Sequence, residues 1–117
     1  VDDLDGALAE LARVLEPGGR LVAVTIGVEH LAEVWELVRY RQPERPFSRE
    51  NGSEHLARHF GAVERWDVDA ALVFPDSEAV HRYVESSIFS AEVPRPLPEV
   101  EGPFRAGVRA TVFVAER

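Results

Sequence analysis

The sequence contains no cysteine, no methionine and no lysine. Without cysteine the chain forms no disulfide, and it offers neither a thiolate nucleophile nor a zinc–thiolate centre. Without lysine it has no amine for a Schiff base or a lysine general base. No apolar run approaches the roughly 20 residues of a membrane-spanning helix, so we expect no membrane partner.

The composition is that of an acidic globular domain. The 117 residues include 45% hydrophobic and 29% charged side chains, which suits one domain with a modest core. The 21 acidic residues outnumber the 13 basic ones and give a formal charge of −8. Because this charge repels a phosphate backbone, we expect no nucleic-acid partner. No charged-then-apolar leader opens the sequence, and we therefore predict a cytoplasmic protein.

The first 26 residues predict a helix followed by a strand. Pro17 disfavours helical geometry at the residue before it, and Gly18 and Gly19 can adopt the positive φ that ends a helix. The run Leu21–Ile26 is nearly all apolar, as in a strand covered on both faces, and this pattern favours a parallel α/β sheet. One face of the helix is defined by leucines at helical spacing, namely Leu4, Leu8, Leu11 and Leu15.

The rest of the chain alternates helices with strands. Helical spacing of apolar residues predicts three helices: His30 to about Tyr40, Ser53–Phe60, and one from Asp76 or Ser77 to about Ser87. Period-two alternation predicts two strands, Trp66–Phe74 and Val108–Ala115. Four prolines within residues 91–103 predict an extended loop before the last strand.

The segment Leu8–Val24 contains the passage RVLEPGGRLV, which resembles the "RVLKPGG-R-L-V" passage of class I S-adenosylmethionine-dependent methyltransferases. Glu16 stands where that family often has lysine. In the family this passage follows the glycine-rich cofactor loop and leads into the fifth strand. The resemblance therefore implies that residues 1–117 form a single, partial domain, the C-terminal half of a methyltransferase. Weaker likenesses cover His59–Asp67, Phe74–Val84 and Thr111–Arg117.

The resemblance also implies a fold and a topology. The expected fold class is α/β, the C-terminal half of a Rossmann-like methyltransferase fold, with a three-stranded mixed sheet and flanking helices. In the family the last strand inserts antiparallel between the fifth and sixth strands. We therefore expect Leu21–Ile26 to pair with Val108–Ala115, and Val108–Ala115 to pair in turn with Ala62–Phe74.

The function that the resemblance implies is methyl transfer from S-adenosylmethionine to a small molecule, mainly by proximity and orientation. S-adenosylmethionine would be the cofactor of the parent enzyme. None is expected on this chain, because the glycine-rich loop and the acidic ribose partner would come earlier, and the fragment itself is expected to be inactive. The alternative from another class is a non-catalytic α/β interaction or dimerisation module.

The candidate site residues are substrate-lining residues, and no catalytic residue is identified. Three of them sit at the carboxyl end of the predicted strand Leu21–Ile26, the edge where open α/β sheets bind ligands. The other three are aromatic residues on helices that often contribute to substrate recognition in the family. Aromatic residues at helical spacing are more commonly buried in the core. The candidates are Thr25, Ile26, Gly27, Trp35, Tyr40 and Tyr83.

Two other pairs of residues could carry chemistry, but a structural role is favoured for both. His55 and His59 have the i, i+4 spacing of a metal site, yet the metalloprotease glutamate between them is absent, so no metal is predicted. Asp67 and Asp69 share one face of a strand and could act as an acid–base pair. We expect them instead to form the solvated face opposite Trp66.

The strand Leu21–Ile26 also predicts self-association. In an intact relative one of its edges pairs with a preceding strand, which this sequence lacks. An apolar, uncharged edge is a template for pairing with another chain. We therefore expect a homodimer through this strand edge.

Overall fold

A computed structural model describes residues 3–117. The elements, in chain order, are α1 (Leu4–Val14), β1 (Arg20–Ile26), α2 (Ala32–Leu37), α3 (Gly52–Ala57), β2 (Ala62–Phe74), α4 (Ser77–Ser86), a 3₁₀ turn (Ser90–Glu92) and β3 (Phe104–Glu116). The chain divides into two compact units. The first comprises residues 1–28, 44–68 and 109–117, and the second comprises residues 29–43 and 69–108. No helix within residues 3–117 is long and apolar enough to cross a membrane.

The three strands form one antiparallel sheet in the order β1-β3-β2. Leu21 lies opposite Ala115 and Ile26 lies opposite Ala110, so β3 is the central strand and β1 is an edge. The predicted pairing of the three strands is therefore confirmed. Two expectations were wrong, because the sheet is neither mixed nor parallel. Its antiparallel order also differs from the parallel order of a Rossmann-like sheet, so the fold is shown only as mixed α/β.

Helix α1 is formed as predicted, but it ends at Val14, earlier than the proline and glycines after Glu16 indicate. The carboxylate of Asp3 accepts a hydrogen bond from the backbone N–H of Gly6 at 2.9 Å, which satisfies a donor that the first turn leaves unpaired. The helix ends one residue before Leu15, whose backbone is extended. Of the leucine face, Leu8 is buried and Leu11 is exposed, so only part of the predicted face is covered.

The core of the first unit lies between α1, α3 and one face of the sheet. Its buried residues are Leu8, Leu56, Phe60, Phe113 and Ala115. Phe113 comes from the central strand and is fully buried. Gly52 begins α3 directly against this ring, because a Cβ there would lie 2.5 Å from an atom of Phe113. The close approach of the helix to the sheet therefore depends on glycine at this position.

The other face of the sheet is open in the first unit. Val22 and Val24 of β1 are 62% and 68% exposed, and Trp66 of β2 is 52% exposed. The expectation that β1 is covered on both faces was wrong. Asp67 and Asp69 are exposed, as expected, but Trp66 on the opposite face is exposed as well. Alternation separates the two faces of a strand but does not decide which face the helices cover. Here the side chains of Asp67 and Trp66, which alternation places on opposite faces of β2, are both exposed.

The second unit has its own core around α2 and α4. Helix α4 is capped as predicted, since the Asp76 carboxylate accepts from the N–H of Ala79 at 2.9 Å. Helix α2 covers only part of the predicted range, because Leu31 and Arg39 on either side of it adopt positive φ angles. The fully or nearly fully buried residues are Leu31, Val34, Trp35, Val38, Phe74, Val80, Val84, Val93 and Ala106.

The proline-rich segment is a loop, as predicted. It follows the short 3₁₀ turn Ser90–Glu92 and contains a cis peptide bond between Arg95 and Pro96. It is anchored to α4 where the Ser77 hydroxyl donates to the carbonyl of Val100 at 3.0 Å and accepts from the Val100 N–H at 2.7 Å. Strand β3 then begins at Phe104, four residues earlier than its alternation indicates.

Candidate functional site

The six candidate lining residues fall into two groups, one in each compact unit. Thr25, Ile26 and Gly27 lie at the carboxyl end of β1 in the first unit. The three aromatic candidates belong to the second unit, with Trp35 in α2, Tyr40 after it and Tyr83 in α4.

The carboxyl end of β1 is covered by the segment that leads into α3. The hydroxyl of Thr25 donates to the carbonyl of Phe47 at 3.0 Å, and the carbonyl of Ile26 accepts from the N–H of Arg49 at 3.1 Å. Gly27 is buried, and a Cβ there would lie 2.8 Å from the Glu50 carboxylate. The polar groups of these residues are therefore engaged within the unit. A substrate-lining role for them stays a prediction.

A polar network lies on the helix-covered face of the sheet, beside Thr25. Thr111 is the residue of β3 directly opposite Thr25, and it is fully buried. Its hydroxyl donates to the Asp67 carboxylate at 2.7 Å and accepts from Nε of Arg49 at 2.9 Å. The Arg49 guanidinium, whose side chain is only 12% exposed, also donates to the carbonyl of Ala110 at 3.1 Å. The network thus joins β2, β3 and the segment before α3.

A second arginine completes this network. Arg65 donates from Nε and Nη2 to the two oxygens of the Asp67 carboxylate, at 2.8 Å and 3.3 Å, and from Nη1 to the carbonyl of Arg49 at 2.9 Å. The hydrogen bond from Arg65, followed by that from Thr111, holds the pKa of Asp67 below its ordinary value. A carboxylate held ionised between two arginines is a poor proton acceptor at neutral pH, so the network is suited to fixing the sheet rather than to acid–base catalysis.

The aromatic candidates of the second unit pack against one another. The Trp35 ring lies 6.0 Å from Tyr40 and 6.3 Å from Tyr83, measured between centroids, and Phe89 lies 6.0 Å from Trp35. The Tyr40 hydroxyl donates to Glu92 at 2.6 Å. This hydrogen bond, reinforced by the negative charge of Glu92, raises the pKa of Tyr40. The arrangement combines an apolar aromatic surface with one phenol–carboxylate pair, and a lining role for it also stays a prediction.

Surface depressions among the described residues include one in each compact unit. One, of about 360 Å³, lies in the second unit and is lined by Glu78, His81, Arg82, Glu85 and Glu99. The other, of about 170 Å³, lies on the open face of the sheet and is lined by Arg20, Ala62, Glu64, Trp66, Val114 and Glu116. Neither depression is lined by any of the six candidates.

His55 and His59 each contact a charged side chain of the first unit. Nε2 of His59 lies 3.2 Å from the Asp5 carboxylate, which links α3 to α1, and His55 contacts Arg58 at 3.3 Å. The hydrogen bond from His59 also lowers the pKa of Asp5. Among residues 3–117 no three histidine or carboxylate side chains are grouped closely enough to hold a metal ion.

The double-glycine turn does not have the arrangement of a nucleotide-cofactor cradle. The double-glycine turn at Gly18 and Gly19 ends a helix and opens a strand, and its N–H groups already bond to Arg117 and Glu16 at 3.3 Å and 2.7 Å. A cofactor cradle needs the reverse order, with free N–H groups that point from a loop at the start of a helix.

Sequence reasoning missed Arg49 and Thr111. They are 62 positions apart, and neither stands in a local motif that links them. The one available signal was Thr111, a polar residue in the otherwise apolar run Ala110–Ala115 that marks where a buried strand meets a polar partner.

Comparison of the chain with protein-family models and with curated proteins gave no match.

Proposed function

We propose that this chain is a portion of an S-adenosylmethionine-dependent methyltransferase that acts on a small molecule, and that it supplies the C-terminal part of the sheet without a cofactor site. The observation that carries the proposal is the strand order β1-β3-β2. The resemblance in the passage Arg13–Val22 predicts that the last strand inserts antiparallel between the two earlier ones, and the observed register follows that pattern. Simple hairpin connections would instead have left β1 beside β2.

The open face of the sheet provides independent support. Three-layer α/β domains cover both faces of their sheet, whereas here Val22, Val24 and Trp66 are left exposed. Under the proposal, the cofactor-binding remainder of the catalytic domain packs on this face. It would also supply a strand beside the free edge of β1.

No chemical step is assigned to residues of this chain, because its double-glycine turn does not have the arrangement of a cofactor cradle. In such a protein the cofactor would supply the methyl group. The contribution of this chain would be to position the acceptor, and its aromatic cluster around Trp35 and Tyr40 is the surface best suited to an apolar or aromatic small molecule.

A second function is favoured by the same exposed surface. Trp66 and the valines of β1 form an apolar patch of the kind that marks interaction sites, and tryptophan is enriched at the centres of such sites. A non-catalytic interaction or dimerisation module would use this patch for another protein chain. In that case no cofactor-binding segment would belong to the protein.

The test uses Trp66 as a reporter of whether the open face is covered. In a Trp35→Phe background Trp66 is the only tryptophan, because the chain has two. The proposal predicts that the gene encodes, before Val1, a strand, a glycine-rich loop and a helix. It also predicts that Trp66 emission in the longer polypeptide is blue-shifted and less quenched by acrylamide than in the 117-residue chain.

The matched control is a Trp66→Phe variant, which retains Trp35, a buried residue. Its emission should be the same in the two polypeptides. A reading frame that begins within a few residues of Val1, or a Trp66 that is equally exposed in both polypeptides, would contradict the methyltransferase proposal and favour the interaction module.

A further inference from the structure

The free edge of β1 has a defined set of outward-facing backbone groups. The N–H of Gly27 donates to Arg109 at 2.8 Å, and the N–H of Arg117 donates to Gly19 at 2.9 Å. In an antiparallel ladder the hydrogen-bonded pairs recur every second residue, so the backbone N–H and C=O groups of the odd-numbered residues of β1 point toward β3. The N–H and C=O groups of Arg20, Val22 and Val24 therefore point away from the sheet.

Both ends of this edge are closed by the chain itself. Before Arg20, the chain turns away from the line of the strand at Pro17–Gly19, where Gly18 has a φ of 81°. At the finish, the outward carbonyl of Ile26 accepts from the N–H of Arg49 at 3.1 Å. The open segment is therefore Arg20–Val24. Within the described part of the chain its outward backbone groups have no hydrogen-bond partner.

We propose that a second copy of this chain pairs antiparallel with this segment about a two-fold axis at Val22. Only residues with outward backbone groups can form hydrogen-bonded pairs across the new interface. Centring the axis on Val22 pairs Arg20 with Val24 of the second copy, Val22 with its own copy, and Val24 with Arg20. A register shifted in one direction would need Gly18, which lies in the turn, and a register shifted in the other direction would need Ile26, whose carbonyl already accepts a hydrogen bond. Either shift therefore loses one of these pairs.

Side chains favour the same register. Arg20, Val22 and Val24 all project from the open face of the sheet, so pairing brings the two Val22 side chains together on the axis. It also extends two three-stranded sheets into one continuous six-stranded sheet. β-Branched residues such as valine suit this position, and nothing charged lies on the axis to oppose the contact.

Charge complementarity also supports an antiparallel second copy. Arg20 lies at one end of the open segment, and within residues 3–117 it makes no ion pair. Glu50 lies at the other end, where its carboxylate accepts from the N–H of Val28 at 3.2 Å. Antiparallel pairing turns the Arg20 end of each copy toward the Glu50 end of the other, whereas parallel pairing would place like charges together.

The interface is small, so the association should be weak. Stable dimers bury roughly 800 Å² on each partner, more than a five-residue edge supplies. We therefore expect dissociation constants of about 10 μM to 1 mM. This inference does not rest on the proposed function. In a longer protein, a strand from the same chain would compete for the edge.

The test measures the dissociation constant by sedimentation equilibrium of the full 117-residue chain and its variants. Val22→Lys places two positive charges opposite each other on the axis and should weaken association by at least about tenfold. Val22→Glu should do the same. An equimolar mixture of the two variants should recover wild-type affinity, because each lysine then faces a glutamate. This recovery is specific to a register in which position 22 meets itself.

The control is Val112→Lys, which places the same charge on the same sheet face but on the central strand. It should associate like the wild type, and circular dichroism should show that all variants are folded. The proposal is overturned if the wild type is monomeric up to about 1 mM. It is also overturned if Val112→Lys is as disruptive as Val22→Lys, which would indicate face-to-face packing, or if the Lys and Glu variants do not recover affinity when mixed.

Discussion

The hydroxyl of Thr111 donates a hydrogen bond of 2.7 Å to the carboxylate of Asp67, and this bond joins the central strand to β2 on the covered face of the sheet. The same oxygen accepts from Arg49 at 2.9 Å. A fully buried hydroxyl that both donates and accepts cannot be replaced by an apolar group without leaving two polar groups short of a partner.

Replacing Thr111 with valine should therefore destabilise the protein by about 1–3 kcal/mol, although the two side chains have nearly the same shape. Urea unfolding followed by circular dichroism measures this change. Val112→Thr makes the reverse exchange at the neighbouring, half-buried position and should change the free energy of unfolding by no more than about 0.5 kcal/mol. Equal stability of Thr111→Val and the wild type would show that the network contributes nothing.

The stability of the fold should depend on the ionisation of Asp67. Its pKa in the folded state is lowered chiefly by the hydrogen bond from Arg65 and then by that from Thr111. A folded pKa below the unfolded one means that the carboxylate stabilises the fold above the ordinary aspartate pKa of about 3.9. This contribution is lost as the pH falls through the lower, folded pKa.

The free energy of unfolding of the wild type should exceed that of Asp67→Asn by more at about pH 6 than at about pH 2.5, because the stabilising contribution of the carboxylate falls as the pH drops toward its lowered pKa. Urea titrations at a series of pH values give this difference directly. Because the Asp5 carboxylate, also lowered in pKa, is present in both proteins, its titration cancels in the comparison. A difference that stays constant across the series would rule out the assigned role of Asp67.

Tyr40 should ionise at a higher pH than a free tyrosine, because its hydroxyl donates to Glu92 and loss of the proton would place two negative charges together. In a Tyr83→Phe background Tyr40 is the only tyrosine, and tyrosinate absorbance reports its titration. Glu92→Gln should shift the titration to lower pH. Glu85→Gln removes an equal charge from α4 and should leave the titration of Tyr40 unchanged. Identical curves for these two variants would argue against the Tyr40–Glu92 contact.

Local signals in the sequence predicted several elements. The Asp76 cap and the apolar spacing after it correctly indicated α4, whereas α1 ends at Val14, earlier than the proline and glycines after Glu16 indicate. The pairing of β1 with β3 was also predicted, but through the resemblance to a family, since alternation does not select a strand's neighbour.

The sequence did not predict which side chains of the sheet are buried or which polar residues far apart in the chain contact one another. The alternation of Trp66 with Asp67 indicated two faces, and the natural choice was to bury the tryptophan. In the structure the Trp66 side chain is exposed, and the partly exposed Asp67 carboxylate is held by Thr111 and two arginines. Such satisfaction depends on residues brought together from distant parts of the chain, and no local pattern reports it. The position of the candidate lining residues at the end of a strand likewise did not indicate that Phe47 and Arg49 form hydrogen bonds with the end of β1.

Calorimetric titration of S-adenosylmethionine tests the central claim most directly, namely that this chain is a methyltransferase portion without the cofactor site. The 117-residue chain should show no binding with a dissociation constant below about 1 mM, whereas the longer polypeptide encoded with the preceding segment should bind in the micromolar range. A low-micromolar dissociation constant for the 117-residue chain alone would contradict the account, as would a longer polypeptide that binds no S-adenosylmethionine.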